Sequence, residues 1–316
     1  MTKKNIDVWD TFAEAFPMKC SRIIITADNS KWAKEAALAF TGFATSVIAC
    51  GCEAGIERYL KSSETPDKRP GVSILIFSMS SKELAKQILN RSGQCIMTSP
   101  TSSLFAGNTG DIKIKLGNSL RYFGDGFQIS KKVDEKRFWR IPVMDGEFVC
   151  EDFAYQMSGI GGGNFLILAN DRKSALLGAE AAVKAINMIP NVILPFPGGV
   201  VRSGSKVGSK YKTLIASTNF EYCPSIKGLV KTKLDSNMNA VLELVIDGLS
   251  EKDISEAMRV GILAINKLGK KSGEIAITPL FFPSLFIVRM PILIASEICF
   301  SDKPSITNSI TACILE

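Results

Sequence analysis

The stretch FLILANDRKSALLGAEAAVKAINMIPNVIL, residues 165–194, contains a strand, a helix and a second strand in that order. Residues 165–169 are a short apolar run typical of a buried strand, and Asn170 or Asp171 is a suitable N-cap for the helix that follows. The apolar residues of that helix recur at helical spacing: Leu176, Ala179, Ala182, Val183 and Ile186. Because residues 191–194 again favour a strand, the stretch predicts a β-α-β unit.

The same order of elements recurs along the rest of the chain. The remaining strands are predicted at residues 22–26, 45–50, 72–77, 94–98, 239–246 and 274–278. The remaining helices are predicted to start at Asn29 or Ser30, at Ser80 with Glu83, and at Ser250 with Asp253. Two copies of a split β-α-β pattern predict an α+β fold with two ferredoxin-like lobes, each an antiparallel sheet with helices on one face.

We place the boundary between the lobes near Asp145, so that residues 1–145 form the first lobe and residues 146–316 the second. Before this boundary, the Gly-Asp-Gly sequence at residues 124–126 favours a hairpin turn. The charged run at residues 131–137 is typical of a solvated hairpin tip.

The composition limits the class of protein. The chain has 316 residues, of which 46% are hydrophobic and 22% charged, so it can form two cored, soluble domains. Its net charge of +7 is spread over short clusters, which argues against nucleic acid and leaves anionic small molecules as candidate ligands. We expect no membrane-spanning helix, because Pro279, Pro283, Arg289 and Pro291 interrupt the apolar tail. Residues 1–16 carry acidic side chains where a signal peptide needs an apolar segment, so we expect a cytoplasmic protein.

The residue types that are missing narrow the chemistry. Histidine is absent, which excludes catalytic triads, Cys–His dyads and metal sites that depend on imidazole. The eight cysteines include no CxxC pair, so the sequence predicts neither a zinc nor an iron–sulfur site, and we expect reduced thiols. Acid–base chemistry must therefore come from carboxylates or from Lys, Tyr or Cys side chains.

The loop PFPGGVVRSGSKVGSK, residues 195–210, combines prolines, glycines and cations in a hydroxyl-rich segment. Such a loop suits an anionic or strongly polar ligand, although composition alone favours an ordinary surface loop. It is not a nucleotide phosphate loop, because Gly-Ser-Lys at residues 204–206 stands where Gly-Lys-Ser/Thr is required. The glycine-rich residues 159–164 lack the third glycine of a dinucleotide fingerprint and precede a strand. The candidate binding residues of the loop are Gly198, Gly199, Arg202, Ser205, Lys206, Ser209 and Lys210.

Glu243 is a candidate catalytic acid within the strand at residues 239–246. Side chains alternate along a strand, so Glu243 shares its face with Val241 and Val245. If that face is covered, desolvation raises the pKa of Glu243 towards neutrality, which suits a general acid or base. If the face is exposed, Glu243 is an ordinary surface residue, and the alternation alone leaves both interpretations open.

Several irregular strings occur in order along the chain: DTFAEAF (10–16), TGFATSVIAC with EAGIE (41–57), ETPDKRPGV (64–72), GQCIMTSPT (93–101), YFGDGF (122–127), GGGNF (161–165), the loop at 195–210 and ASTNFEYCP (216–224). Together they resemble the formylmethanofuran:tetrahydromethanopterin formyltransferase family from about residue 10 to about residue 277. The resemblance implies a duplicated ferredoxin-like α/β sandwich, in agreement with the repeat of elements. From about residue 278 the tail departs from the family pattern, which we interpret as an altered reading frame near the end of the gene.

The resemblance implies a cytosolic enzyme of one-carbon metabolism, of the kind used in methanogenesis, that moves a formyl group between the amine of methanofuran and N5 of tetrahydromethanopterin. Both coenzymes are carrier substrates, and no permanently bound cofactor or metal is implied. It also implies a homo-oligomer, a dimer or a tetramer, and leaves association with subunits of a formyltransferase/hydrolase complex open. A catalytically silent scaffold subunit and a pterin-binding module are the alternative functions.

The resemblance implies roles for individual residues as well. It assigns Glu243 to proton handling during transfer, and it places Asn164 and Asn219 in strings where they can orient polar groups. Glu14 and Glu53 lie in similar strings and are held as backup proton carriers. The three cations of the loop at residues 195–210 are assigned to the anionic tails of the coenzymes.

Overall fold

The structure is a computed structural model that describes residues 7–8, 12–269, 275–279 and 288–291. Its strands are β1 Asp7–Val8, β2 Phe12–Thr26, β3 Thr45–Ser46, β4 Cys52–Leu60, β5 Gly71–Ser78, β6 Ser103–Ala106, β7 Lys113–Lys115, β8 Ile129–Val133, β9 Lys136–Val143, β10 Gly146–Glu151, β11 Phe153–Tyr155, β12 Met157–Ala169, β13 Val192–Ile193, β14 Lys206–Val207, β15 Ala216–Ser217, β16 Ala240–Gly248, β17 Ile275–Pro279 and β18 Val288–Pro291. Its α-helices are α1 Ser30–Thr41, α2 Val47–Cys50, α3 Ser81–Arg91, α4 Gly117–Leu120, α5 Arg172–Ile186 and α6 Glu251–Asn266. The atypical tail lies outside the described residues, apart from 278–279 and 288–291. Within the described ranges, no helix is long and apolar enough to cross a membrane.

Among the described residues, fourteen strands form one mixed sheet, in which each half of the chain contributes its own set of four. The order is β6-β2-β5-β4 in the first half and β17-β12-β16-β13 in the second, and neighbours within each set are antiparallel. β10 extends the first set by pairing in parallel with β6, and β9 and β8 follow it. The protein therefore has a mixed α/β fold with one large mixed sheet.

The two sets of strands are joined because β2 and β12 are longer than either set requires. β2 has 15 residues and β12 has 13, and residues 157–161 of β12 pair with residues 16–20 of β2. Gly159 permits this crossing, since a Cβ at that position would lie 2.6 Å from the Phe77 ring. The expectation of one sheet per lobe missed this junction, because the apolar run at residues 22–26 marks only the last part of β2.

A polar network also ties the two halves together. Arg22 on β2 donates to both carboxylate oxygens of Glu57 on β4, at 2.8 and 2.7 Å, and to the Asn191 side chain at 2.8 Å. The Asn191 backbone N–H and the Ser73 hydroxyl donate to the same carboxylate. Burial acts to raise the pKa of Glu57, but the hydrogen bonds outweigh burial and the pKa is lowered. Glu57 is therefore ionised and held between the halves.

The predicted starts of the long helices are confirmed. Asn29, Ser80, Asp171 and Ser250 each accept a hydrogen bond from a backbone N–H in the first turn of α1, α3, α5 and α6. α1 and α3 pack against the first strand set, and α5 and α6 cover one face of β12 and β16. These four helices were recognisable because their caps and their apolar spacing are local features of the sequence.

Two predicted strands are wrong. Residues 45–50 form a two-residue strand and the one-turn helix α2, which ends at Gly51 with φ +74°, and the long strand β4 starts only at Cys52. Residues 94–98 overlap a π-helical turn at Ser92–Ile96, and the next strand in the chain is β6. Both runs are apolar enough for a strand, but each contains a short helical turn; in the second turn Ile96 is buried, whereas in α2 Ile48 is exposed and Cys50 is buried.

The Gly-Asp-Gly turn is also placed wrongly. Asp125, with φ +50°, ends a 3-10 helix at Arg121–Gly124 and lies ahead of the next hairpin rather than at its turn. That hairpin joins β8 to β9, and its turn falls at Asp134 within the charged run. The run is exposed except at Lys136, which is half-buried, so the prediction of a solvated hairpin tip is confirmed.

Candidate active site

Glu243 and Asn164 meet on the neighbouring strands β16 and β12. The antiparallel register sets Asn164 opposite Val245 and Leu166 opposite Glu243, so these side chains lie on one face of the sheet. The Asn164 side-chain amide donates to Glu243 Oε1 at 2.9 Å. The other face of both strands packs on α5 and α6, which holds the two strands in place.

Glu243 is buried, only 5% exposed, and Val241 and Val245 on the same face are half-buried. Burial raises the pKa of its carboxyl from 4.5 to about 7, while the hydrogen bond from Asn164 acts in the opposite direction. Strand alternation left two interpretations open, and the structure confirms the one in which the Glu243 side chain is buried. A carboxyl that titrates near neutrality can take up and release a proton at physiological pH.

The loop at residues 195–210 is attached to Glu243 through the backbone. Val201 N donates to Glu243 O at 2.7 Å, and Glu243 N donates to Val201 O at 2.9 Å. This isolated bridge holds the following residue, Arg202, beside the acid, although the loop and the strand are far apart in the sequence.

Two cavities open beside Glu243, and this residue lines both of them. The first has a volume of about 510 Å³, and its polar lining includes Arg172, Arg202, Asn219 and Tyr222. The second has a volume of about 280 Å³, and its lining includes Glu53, Asn164, Ser205 and Lys206 with the apolar Phe16 and Phe196. Groups bound in the two cavities can therefore approach the same carboxyl.

The other loop candidates lie away from Glu243. Gly198 and Gly199 line a third groove, of about 880 Å³, together with residues of β4 and the end of α5. Ser209 and Lys210 line none of these three cavities, and Ser209 Oγ accepts a hydrogen bond from Tyr211 N at 3.0 Å. Of the predicted binding residues of the loop, Arg202, Ser205 and Lys206 are thus the ones that share a cavity with the acid.

The two cavities beside Glu243 are lined in part by cationic side chains. Arg172, the first residue of α5, and Arg202 are exposed side chains that line the first cavity. Lys206 lines the second, where its Nζ lies 5.1 Å from the centroid of the Phe220 ring. Asn219 is buried beside the two arginines. Two guanidinium groups in one cavity favour a ligand that carries carboxylate or phosphate groups.

Of the two backup acids, only Glu53 can be placed at the site. Glu53 is 6% exposed and lines the second cavity. Its Oε1 accepts a hydrogen bond from Val47 N at 3.2 Å, and its carboxyl is paired with the buried Asp247. The backbone of Glu14 lies in β2, opposite Arg289 of β18, but its side chain lies outside the described part of the structure.

Arg172 and Asp247 are site residues that the sequence interpretation missed. Arg172 follows the N-cap of α5, and that position was used only to mark the start of a helix. Asp247 lies on the same face of β16 as Glu243, so the alternation that singled out Glu243 also points to it. Within the described ranges, no group of three or more His, Cys, Asp or Glu side chains is placed to hold a metal ion.

Comparison with families of known proteins covers both halves of the chain. A family model described as formylmethanofuran-tetrahydromethanopterin formyltransferase matches residues 1–143, and a model described as FTR, proximal lobe, matches residues 146–278. Over 273 residues the chain is 61% identical to the formylmethanofuran–tetrahydromethanopterin formyltransferase of Methylococcus capsulatus. That alignment covers 86% of this chain and 92% of the relative.

Two solved structures have the same fold. One is the formyltransferase/hydrolase complex of Methylorubrum extorquens with methylofuran, in which a chain of 47% identity matches with a TM-score of 0.88 over 95% of this chain and 98% of that one. The other is the formylmethanofuran:tetrahydromethanopterin formyltransferase of Methanosarcina barkeri, at 40% identity and a TM-score of 0.86 over 94% of this chain and 100% of that one. The chain belongs to the formylmethanofuran–tetrahydromethanopterin formyltransferase family.

Proposed function

We infer that this protein is an N-formyltransferase that moves a formyl group between formylmethanofuran and N5 of tetrahydromethanopterin. The observation that carries the inference is the buried Glu243, whose pKa is about 7, at the point where two cavities meet. Family membership supports the identity of the two carriers, and the geometry supports the chemistry. The carriers themselves supply and accept the formyl group, so no bound cofactor takes part.

Transfer between two amines forms one C–N bond and breaks another at the formyl carbon. The attacking nitrogen adds to the carbonyl carbon, which gives a tetrahedral intermediate with a negative oxygen. The C–N bond to the leaving nitrogen then breaks, and the carbonyl is restored. The attacking nitrogen loses one proton and the leaving nitrogen gains one, so a single carboxyl between them can serve both steps. Glu243 is suited to this role because its pKa allows either protonation state near neutrality.

Both carriers are bound together in this proposal, and each takes one of the two cavities beside Glu243. Arg172 and Arg202 bind the anionic groups of one tail in the first cavity, and Lys206 binds those of the other in the second. Asn164 orients the Glu243 carboxyl through its hydrogen bond. The apolar residues of the second cavity suit the flat ring of a carrier.

The halves, residues 1–145 and 146–316, are two copies of a ferredoxin-like lobe, and the equivalent strand order of the two four-strand sets supports this.

The protein acts in the cytoplasm as a homo-oligomer, with hydrolase subunits as further partners. The likeness to a chain of the Methylorubrum extorquens complex supports that association. Light scattering coupled to size-exclusion chromatography measures the oligomer.

The direct test mixes the purified protein with formylmethanofuran and tetrahydromethanopterin and follows the formation of the 5-formyl pterin. We expect transfer by the wild-type protein and a large loss of rate on Glu243→Gln. Glu180→Gln is the matched control, because Glu180 is an exposed carboxylate on α5, and it should keep the wild-type rate. A folded wild-type protein that binds a pterin without turnover would contradict the enzyme and favour a scaffold subunit or a binding module.

A further inference from the structure

Glu53 and Asp247 form a buried carboxyl pair that joins the two halves of the chain. Glu53 lies on β4 and is 6% exposed, and Asp247 lies on β16 and is fully buried. One oxygen of each accepts a backbone hydrogen bond: Glu53 Oε1 from Val47 N at 3.2 Å, and Asp247 Oδ1 from Gly162 N at 3.0 Å. The second oxygen of each, Glu53 Oε2 and Asp247 Oδ2, is buried and has no hydrogen-bond partner among the described residues, and the two carboxyl groups act on each other electrostatically. Since a carboxylate can only accept, these two oxygens can pair with each other only if one of the carboxyls carries a proton.

The backbone group that Asp247 binds belongs to a β-bulge. The register of β12 against β16 shifts between Ile160 and Gly163, so two residues of β12 face the single residue Asp247. Gly162 lies in this bulge with φ +87°, and the Asp247 carboxylate accepts its N–H. Because a bulge sets the face to which every later side chain of the strand points, it determines where Asn164 is aimed.

We propose that Glu53 and Asp247 share one proton and that this pair holds the Gly162 bulge in the register that directs Asn164 to Glu243. Both are positioning residues, because in this proposal they act on the site through the Gly162 bulge and Asn164. The inference rests on the proposed function, since it concerns the acid assigned to proton handling. The pair also couples the first half of the chain to a site built mainly from the second.

The surroundings of the pair favour the shared proton. Burial raises the pKa of both carboxyl groups, and for Asp247 the neighbouring Glu53 raises it further. Among the described residues, the buried Cys20 thiol of β2 also interacts with Asp247, and the pKa of this thiol is raised well above its usual range, mainly by burial. The Arg22–Glu57 ion pair acts on that thiol but donates no hydrogen bond to Glu53 or Asp247. A single proton therefore keeps two buried carboxylates from repelling each other.

The pKa of Glu243 can be used to test whether the pair positions Asn164, and this measurement needs no substrate. It is measured by infrared titration of the carboxyl band, with Glu243→Gln as the reference that removes the signal. The Asn164 hydrogen bond lowers this pKa, so its loss in Asn164→Ala raises it. If the pair positions Asn164, Asp247→Ala raises the pKa as well, whereas removal of a nearby charge alone would lower it.

A double-mutant cycle separates positioning from stability. We expect Asp247→Ala combined with Asn164→Ala to give the shift of Asn164→Ala alone. Asp247→Asn keeps an acceptor for Gly162 and gains a donor to Glu53, so the pKa of Glu243 should stay at the wild-type value. Asp152→Ala is the matched control, because it removes another buried carboxylate, which accepts from Trp139 and lines neither cavity beside Glu243.

A second variant covers the case in which Asp247→Ala does not fold. Glu53→Ala keeps the acceptor for Gly162 but removes the partner of the shared proton, and it should raise the pKa of Glu243 by less. An unchanged or lowered pKa in the folded variant, or additive shifts in the double variant, would overturn the proposal. Failure of formyl transfer in the wild-type protein would instead contradict the proposed function, because the infrared measurement needs no turnover.

Discussion

Replacement of Glu243 by Gln affects activity and stability in ways that the structure defines. The amide of the Gln side chain has nearly the same shape as the Glu243 carboxyl. Its carbonyl oxygen can still accept the hydrogen bond from Asn164, so the packing around β16 is kept. The amide cannot take up or release a proton. We therefore expect kcat for formyl transfer to fall by about two to four orders of magnitude, the range typical of lost proton-transfer catalysis.

The same substitution should change how stability depends on pH. The ordinary pKa of the Glu243 carboxyl is 4.5, and burial raises it to about 7 in the folded protein. Between these values the folded protein holds a proton that the unfolded chain has released, so the wild type loses stability as the pH rises through this window. At about 1.36 kcal/mol per pKa unit, the loss reaches about 3 kcal/mol by about pH 8. The free energy of unfolding of Glu243→Gln should not decrease in this way, because the amide does not titrate.

The assay is urea unfolding of the wild type, of Glu243→Gln and of the control Glu180→Gln, followed by tryptophan fluorescence. From about pH 5.5 to about pH 8, the free energy of unfolding of Glu243→Gln should gain about 2 kcal/mol relative to the wild type. The control should follow the wild type at both values. A kcat within about tenfold of the wild type would refute the role in proton transfer. An equal stability difference at both pH values would refute the raised pKa.

Three further substitutions test the surroundings of the acid and the junction of the halves. Asn164→Ala removes the hydrogen bond that lowers the pKa of Glu243, so the limb of the activity profile due to this acid should move to higher pH, as measured by kcat/KM against pH. Arg202→Ala should raise the KM of an anionic carrier about tenfold or more with a smaller change in kcat, and weaken its dependence on salt. Glu57→Ala leaves Arg22 without its carboxylate and should lower the free energy of unfolding by about 3–5 kcal/mol at neutral pH. Because the pKa of Glu57 is lowered in the folded protein, this difference should shrink as the pH falls through the acidic range.

The helices were predictable because the features that define them are local. Asn29, Ser80, Asp171 and Ser250 each cap the helix that follows them, and the apolar residues behind them repeat at helical spacing. The length of β2 was not predictable in this way. Residues 16–20 of β2 pair with β12, more than a hundred residues away, and their conformation is set by that partner rather than by their own pattern.

In the candidate site, too, local features were predictable from the sequence and features that depend on distant segments were not. Strand alternation alone assigned Glu243 to a face with two valines, and the structure shows that Glu243 is buried there while the valines are half-buried. The loop at residues 195–210 was recognisable by composition, but composition could not tell which of its residues reach the acid. That depends on one backbone bridge, Val201 to Glu243, and on the fold that brings the two together. Arg172 was missed because α5 presents it to a cavity whose other wall comes from distant segments.

The backbone bridge at Val201 gives the loop a role apart from its charges. Since Val201 is hydrogen-bonded to the main chain of Glu243 in both directions, Arg202 cannot move along the strand without breaking two backbone hydrogen bonds. The main chain of Arg202 is thereby kept beside the strand that carries Glu243, while its exposed side chain can still change rotamer. In the proposed function, a carrier tail bound at Arg202 brings its reacting nitrogen close to the acid, which is what proximity catalysis requires. If the loop binds a tail as proposed, that binding also orients the carrier for proton transfer.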